Sequence, residues 1–162
     1  MRRVSLYTIF FLLSNYILFS SPHFVHGETS FPVIQEVQIA GEVSDDEFIE
    51  LYNPTASPID IGGWQLRRKT ESGSVSSIKV FGKDTLIQPH SYYLWANSKG
   101  IFAAMADTST SSSALANNNS IALYNKSGSD AILIDSLTWG NGALFLSTDS
   151  SQITPLKNES LS

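Results

Sequence analysis

The chain has 162 residues, of which 10 are basic and 15 acidic, and it contains no cysteine. This length fits one domain with processing or tail segments, and the hydrophobic fraction of 42% is enough for one modest core. The lack of cysteine excludes disulfides, zinc–thiolate sites and thiol catalysis.

Residues 1–27 have the pattern of a signal peptide. Arg2 and Arg3 precede an apolar run over residues 4–19, and small residues favour cleavage after Gly27. An uncleaved membrane anchor is the alternative. Cleavage would leave 8 basic against 15 acidic residues, a net charge of −7, with no membrane span in the mature chain. We therefore expect a secreted or cell-surface protein, for which nucleic acid is a poor partner because phosphate attracts basic surfaces.

The remaining sequence consists of short segments with the alternation of half-buried strands. They lie at residues 33–39, 47–52, 59–61, 64–69, 75–81, 86–89, 91–96, 120–124 and 131–139. Gly62 and Gly63 predict a bulge or a bend between sheets, residues 101–106 one helical turn, and residues 107–113 a Ser/Thr-rich loop. The fold class is therefore predicted to be all-β, a sandwich or barrel.

Three stretches, in this order and spacing, resemble the lamin tail domain. They are residues 33–37 (VIQEV), 46–54 (DEFIELYNP) and 59–66 (IDIGGWQL), and later segments at 93–96, 117–124 and 134–140 resemble those of secreted prokaryotic members. The resemblance implies an immunoglobulin-like β-sandwich, which we place at residues 28–146. It implies no activity and no cofactor. Residues 147–162 are interpreted as a polar, Ser-rich tail or the start of an incomplete last strand.

No catalytic constellation is evident, and the chain is predicted not to be an enzyme. His23 and His26 lie in the leader, so His90 alone remains to act as a base, and it follows a proline in a predicted turn. Glu36 and Glu50 lie on neighbouring strands and could face each other. We interpret them as solvated or as acceptors of backbone hydrogen bonds, because nothing in the sequence builds a cleft around them.

The acidic segment before the second strand is a candidate calcium site. Glu42, Asp45, Asp46 and Glu47 supply the oxygen ligands that calcium prefers, but without the regular spacing of a calcium loop. A solvated acidic loop is the alternative.

The densest basic cluster is Arg67, Arg68 and Lys69, with Lys79 on the partner strand of a predicted hairpin. It is a candidate phosphate-binding surface. The alternative is that these cations protect a sheet edge against association.

The aromatic strand offers a second candidate binding surface. Alternation places Tyr93 and Trp95 on one face and Tyr92 and Leu94 on the other. If the first pair is exposed, it could bind a sugar ring or a protein; otherwise it belongs to the core.

Together these features predict a non-catalytic extracellular module with a binding or structural role on an exported protein. Its partner would be a protein or a cell-surface polymer, recognised by loops at residues 41–46 and 97–119. Two alternatives remain: an accessory domain of a larger secreted hydrolase, such as a nuclease, and a carbohydrate-binding module.

Overall fold

A computed structural model describes residues 30–111 and 115–145. The predicted signal peptide and the polar tail lie outside the described residues. The strands within the described ranges are β1 (Val33–Gln38), β2 (Phe48–Tyr52), β3 (Ile59–Asp60), β4 (Gln65–Thr70), β5 (Val75–Val80), β6 (Leu86–Ile87), β7 (Tyr92–Asn97), β8 (Thr108–Thr110), β9 (Asn119–Tyr124) and β10 (Leu133–Thr138).

The strands form two four-stranded sheets and one small pair. The front sheet has the order β1-β2-β7-β8, the back sheet has the order β10-β9-β4-β5, and β3 pairs with β6. All pairs are antiparallel except β7 and β8. The predicted all-β sandwich is confirmed.

Alternating apolar side chains form one core between the sheets. Ile49, Leu51 and Trp95 project from the front sheet, and Leu66 and Leu123 from the back sheet, all at most 1% exposed. Ile61, Ile78, Phe81, Ile87, Leu115 and Ile121 complete the buried cluster. Burying such side chains is the main stabilising contribution, since the sequence contains no disulfide.

Hydrogen bonds tie the two sheets together at both lateral edges. At one edge, the backbone N–H of Ile34 in β1 donates to Oδ2 of Asp135 in β10 over 2.7 Å. At the other, the Thr110 hydroxyl in β8 donates to the carbonyl of Ile78 in β5 over 2.9 Å. These two bonds give polar backbone groups of the edge strands β1 and β5 a partner in the opposite sheet.

Asn53 organises the turn after β2. Its side chain is fully buried and donates to the carbonyls of Ser57 (2.8 Å) and Ile87 (3.0 Å), while its Oδ1 accepts from the Thr55 N–H (2.9 Å). One amide thus closes its own turn and holds it against β6. The bend predicted at Gly62 and Gly63 is also present, between β3 and β4.

The prediction of a loop over residues 107–113 is wrong for Thr108–Thr110, which form β8 parallel to β7. The pairing is long-range, and side chains support it: the Trp95 indole Nε1 donates to the Thr110 hydroxyl over 2.9 Å. A Ser/Thr-rich segment is compatible with both a strand and a loop, so the local sequence pattern alone did not reveal this strand.

The predicted helical turn is present as a 3-10 helix at Ile101–Ala104. Within the described residues, no helix is long and apolar enough to cross a membrane.

Candidate functional site

Two connections meet at one end of the sandwich. We call residues 41–47 and 97–105 the loop end. Asp46 is fully buried between them, where its Oδ1 accepts from the Ile101 N–H over 3.0 Å and its Oδ2 accepts from the Val43 N–H over 3.2 Å. A single carboxylate therefore fixes both segments relative to each other.

Glu47 and Asn97 form a second buried link beside Asp46. The Asn97 amide Nδ2 donates to Glu47 Oε2 over 2.9 Å, and the Leu115 N–H donates to Glu47 Oε1. Asn97 Oδ1 also accepts from the Lys99 N–H over 3.1 Å. Because buried polar groups are costly unless they are paired, this network favours one arrangement of the loops.

Two glycines allow the backbones to approach this closely. A Cβ at Gly100 would overlap the Asp45 carbonyl oxygen and lie 2.8 Å from the Asp45 carbonyl carbon. A Cβ at Gly41 would lie 2.7 Å from the Cβ of Asp46. Both positions therefore have a packing requirement that other residues do not meet.

Burial raises the pKa of Glu47 above its ordinary value of 4.5. The hydrogen bonds from Asn97 and Leu115 oppose this shift, the charge of Asp45 adds to it, and the charge of Arg68 opposes it. The Glu47 carboxylate is thus held in the interior by donors and by one cation.

The loop end exposes apolar side chains above this polar network. Val43 is 55% exposed, Ile101 65% and Met105 69%. The ring of Phe102, from the second segment, packs edge to face on the ring of Phe48 at the start of β2, with centroids 5.1 Å apart. The arrangement combines a fixed base with exposed aliphatic groups, which suits recognition of a protein surface.

The acidic residues predicted as calcium ligands have a different arrangement. Glu42 is exposed, whereas Asp46 and Glu47 are buried and accept backbone N–H groups, so the solvated-loop interpretation is wrong for these two. Within the described ranges, no group of three or more His, Cys, Asp or Glu side chains could hold a metal ion.

Glu36 and Glu50 face each other across β1 and β2, an arrangement that the sequence left open. Glu50 lies between the buried Ile49 and Leu51, so both carboxylates lie on the outer face of the front sheet. Burial raises the pKa of Glu50, and the neighbouring charge of Glu36 adds to the shift.

The aromatic strand faces the core with Tyr93 and Trp95. Trp95 is fully buried, and the Tyr93 ring packs edge to face on Phe81 with centroids 5.5 Å apart. Trp95 therefore presents no surface to an external ligand, and the exposed aromatic side chain of β7 is Tyr92, at 57%.

The three consecutive cations of β4 are divided between two faces. Arg67 lies over the Tyr124 ring at 4.4 Å, and Lys69 Nζ donates to the Leu144 carbonyl over 2.8 Å, both on the outer face of the back sheet. Arg68 shares the parity of the buried Leu66 and is half-buried, so its charge acts on the interior. The structure does not bring the three together as one surface.

His90 is exposed in the turn before β7, with a φ of 51°. Its position matches the surface turn expected from the sequence.

Sequence reasoning predicted both loops as recognition loops but missed the exposed apolar groups on them, Val43, Ile101 and Met105. A signal was present, since each is an apolar residue in a segment not predicted as strand. What the sequence could not give is that the two segments meet.

The comparisons with known proteins agree with this architecture. Residues 28–141 match the family model described as Lamin Tail Domain, which is a non-enzymatic immunoglobulin-like family. A search of curated proteins gives no significant match. Since the matched region covers more than half of the 162 residues, the chain belongs to the lamin tail domain family.

Proposed function

We propose that the domain is a non-catalytic binding module of an exported protein and that the loop end binds a partner protein. The observation that carries the proposal is the buried Asp46 carboxylate, which fixes the backbones at two exposed apolar residues, Val43 and Ile101, relative to each other. Binding to a preorganised surface avoids most of the entropy cost of ordering loops.

The chemistry of the exposed groups supports a protein as partner. Val43, Ile101 and Met105 gain free energy when they leave water, and their side chains offer no hydrogen bonds to a sugar or a phosphate. A flanking acidic residue, Glu42, is exposed and could add specificity at the rim.

Export is tested separately from binding. Expression of the whole chain in the cells that produce it should yield extracellular protein that begins at Glu28, because the predicted cleavage follows Gly27. N-terminal sequencing of that protein gives the answer. Retention in the cytoplasm with residues 1–27 intact would contradict export without affecting the binding proposal.

Binding is tested by site-specific photocrosslinking on those cells. A photoreactive amino acid replaces Val43 or Ile101, and matched controls replace Val75 or Ile132, which are similarly exposed at 54% and 62%. We expect the same adduct from both loop-end positions, competed by excess unmodified protein. Adducts of equal yield from the control positions, or no adduct from the loop end, would refute the proposal.

A further inference from the structure

The lysines and arginines in the strands of the two four-stranded sheets all lie in the back sheet. The strands of the front sheet contain Glu36 and Glu50 and no lysine or arginine. The cations of the β4–β5 hairpin, Arg67, Arg68, Lys69 and Lys79, all belong to the back sheet. The outer face of the front sheet is therefore acidic, although the chain as a whole contains both signs.

The outer face of β1, β2 and β7 has two ordered rows of side chains, which we call the acidic–aromatic face. In one row, Glu36 lies opposite Glu50, and Glu50 lies opposite Leu94. In the next row, Tyr52 lies opposite Tyr92. Residues two apart on a strand are separated by about 7 Å, so the tyrosines and the glutamates are within reach of one extended chain.

The two tyrosines form an aromatic platform. Their ring centroids are 4.8 Å apart and the rings are tilted by 35°. Tyr92 is 57% exposed. An exposed tyrosine ring attracts a guanidinium or ammonium group placed over its face.

The paired glutamates favour a cation at the same place. Like charges directly opposite each other on neighbouring strands are destabilising. The pKa of Glu50 is raised by burial and then by Glu36, and no cation of the described residues figures among the causes. A positive group between the two carboxylates would remove this repulsion, whereas a neutral sugar would leave it in place.

We infer that the acidic–aromatic face binds an extended peptide segment carrying lysine or arginine. One basic side chain lies over Tyr92 while a second, two residues along the peptide, lies between Glu36 and Glu50. The alternation of an extended peptide matches the row spacing of the sheet. This surface is separate from the loop end, and the inference does not depend on the proposed function.

The test uses the protein from residue 28 onward, labelled with ¹⁵N, and the peptide acetyl-Gly-Arg-Gly-Arg-Gly-amide as the probe. We expect chemical shift changes at β1, β2 and β7 and an affinity that falls with added salt. Tyr92→Ala should weaken binding roughly two- to fivefold, as expected for one exposed cation–π contact. The double variant Glu36→Gln, Glu50→Gln should weaken it about five- to tenfold.

Matched controls separate these effects from general changes. Asp130→Asn removes one negative charge from an exposed turn, half of what the double variant removes, and Ile132→Ala trims a side chain of similar exposure, at 62%. Both should bind the peptide as the parent does. The same peptide with citrulline in place of arginine keeps the shape and loses the charge, and it should not bind.

Three outcomes would overturn the inference. One is equal binding of the citrulline peptide. Another is binding of a neutral oligosaccharide to this face without binding of the arginine peptide. The last is concentration-dependent self-association in sedimentation that Glu50→Gln abolishes, which would make a second copy of the chain the occupant. A variant that unfolds, as judged by circular dichroism, is replaced by Tyr92→Leu, which keeps apolar bulk without the aromatic ring.

Discussion

Replacing Gly100 with alanine should damage the loop end through a defined clash. The added Cβ would overlap the Asp45 carbonyl oxygen and lie 2.8 Å from its carbonyl carbon, whereas ordinary contact begins at 3.4 Å. The carbonyl carbon alone requires the two backbones to separate by about 0.6 Å, and the nearer carbonyl oxygen requires more. That movement stretches the hydrogen bond from the Ile101 N–H to Asp46, which is 3.0 Å long.

The cost follows from these two effects. Overpacking of a tight contact costs about 1–3 kcal/mol. Weakening a partly buried hydrogen bond to a carboxylate adds roughly 1–2 kcal/mol. We expect Gly100→Ala to lower the free energy of unfolding by about 2–5 kcal/mol, or to release the loop end at a smaller global cost. In either case the amide signals of the loop end should shift most.

Gly82→Ala is the matched control. A Cβ at Gly82 meets nothing closer than the Thr85 hydroxyl at 3.9 Å. Alanine lowers the conformational entropy of the unfolded chain, so Gly82→Ala should leave the free energy of unfolding unchanged or raise it by up to about 1 kcal/mol. Urea unfolding at pH 7 measures both variants. Equal stability of Gly100→Ala and Gly82→Ala, with unchanged amide shifts at residues 41–47, would refute the argument that close approach fixes the loop end.

Three further predictions concern other parts of the molecule. Asn53→Ala removes a buried amide that donates to three carbonyls and should lower the free energy of unfolding in urea by about 2–4 kcal/mol, while replacing the exposed Asn117 should cost less than about 0.5 kcal/mol. Glu50 has a raised pKa, so the folded state binds its proton more tightly than the unfolded state does. The resulting contribution to the free energy of unfolding is fully present below pH 4.5 and is lost as the pH rises through the raised pKa. Glu50→Gln should lessen this decline in unfolding curves measured from pH 4 to 7. His90 has a φ of 51°, so His90→Gly should be more stable than His90→Ala by about 1 kcal/mol and should have the higher melting temperature. Equal melting temperatures would contradict backbone strain at this position.

Most of the fold could be predicted because strand alternation and turn residues are local signals. The predicted segment at residues 47–52 differs from β2 by one residue, and the bend at Gly62 and Gly63 lies where two glycines interrupt a strand pattern. Strand β8 was missed because two non-local contacts support it. One is its pairing with β7, and the other is the hydrogen bond from the Trp95 indole to the Thr110 hydroxyl, two residues beyond the partner of Trp95 in the pairing.

The candidate site was harder to predict because it depends on whether charged side chains are buried or exposed in the folded chain. Asp46 and Glu47 have the composition of a solvated or metal-binding loop, yet both are buried. What decides their burial is the supply of N–H donors from Ile101 and Leu115, which lie more than 50 residues further along the chain. Burial of a carboxylate is favourable only when such partners are present, and no local pattern reveals them.

Strand β2 connects the core with both candidate surfaces through its two-residue period. Its odd-numbered positions, Ile49 and Leu51, face the interior, and Glu47 continues that side into the loop end. Its even-numbered positions, including Glu50 and Tyr52, form the outer face. A shift of register by one residue would place Glu50 in the core, so the same burial that stabilises the sandwich also fixes the outer row. Changes at Glu50 and Tyr52 should therefore alter binding to the acidic–aromatic face while the buried network at the loop end stays intact.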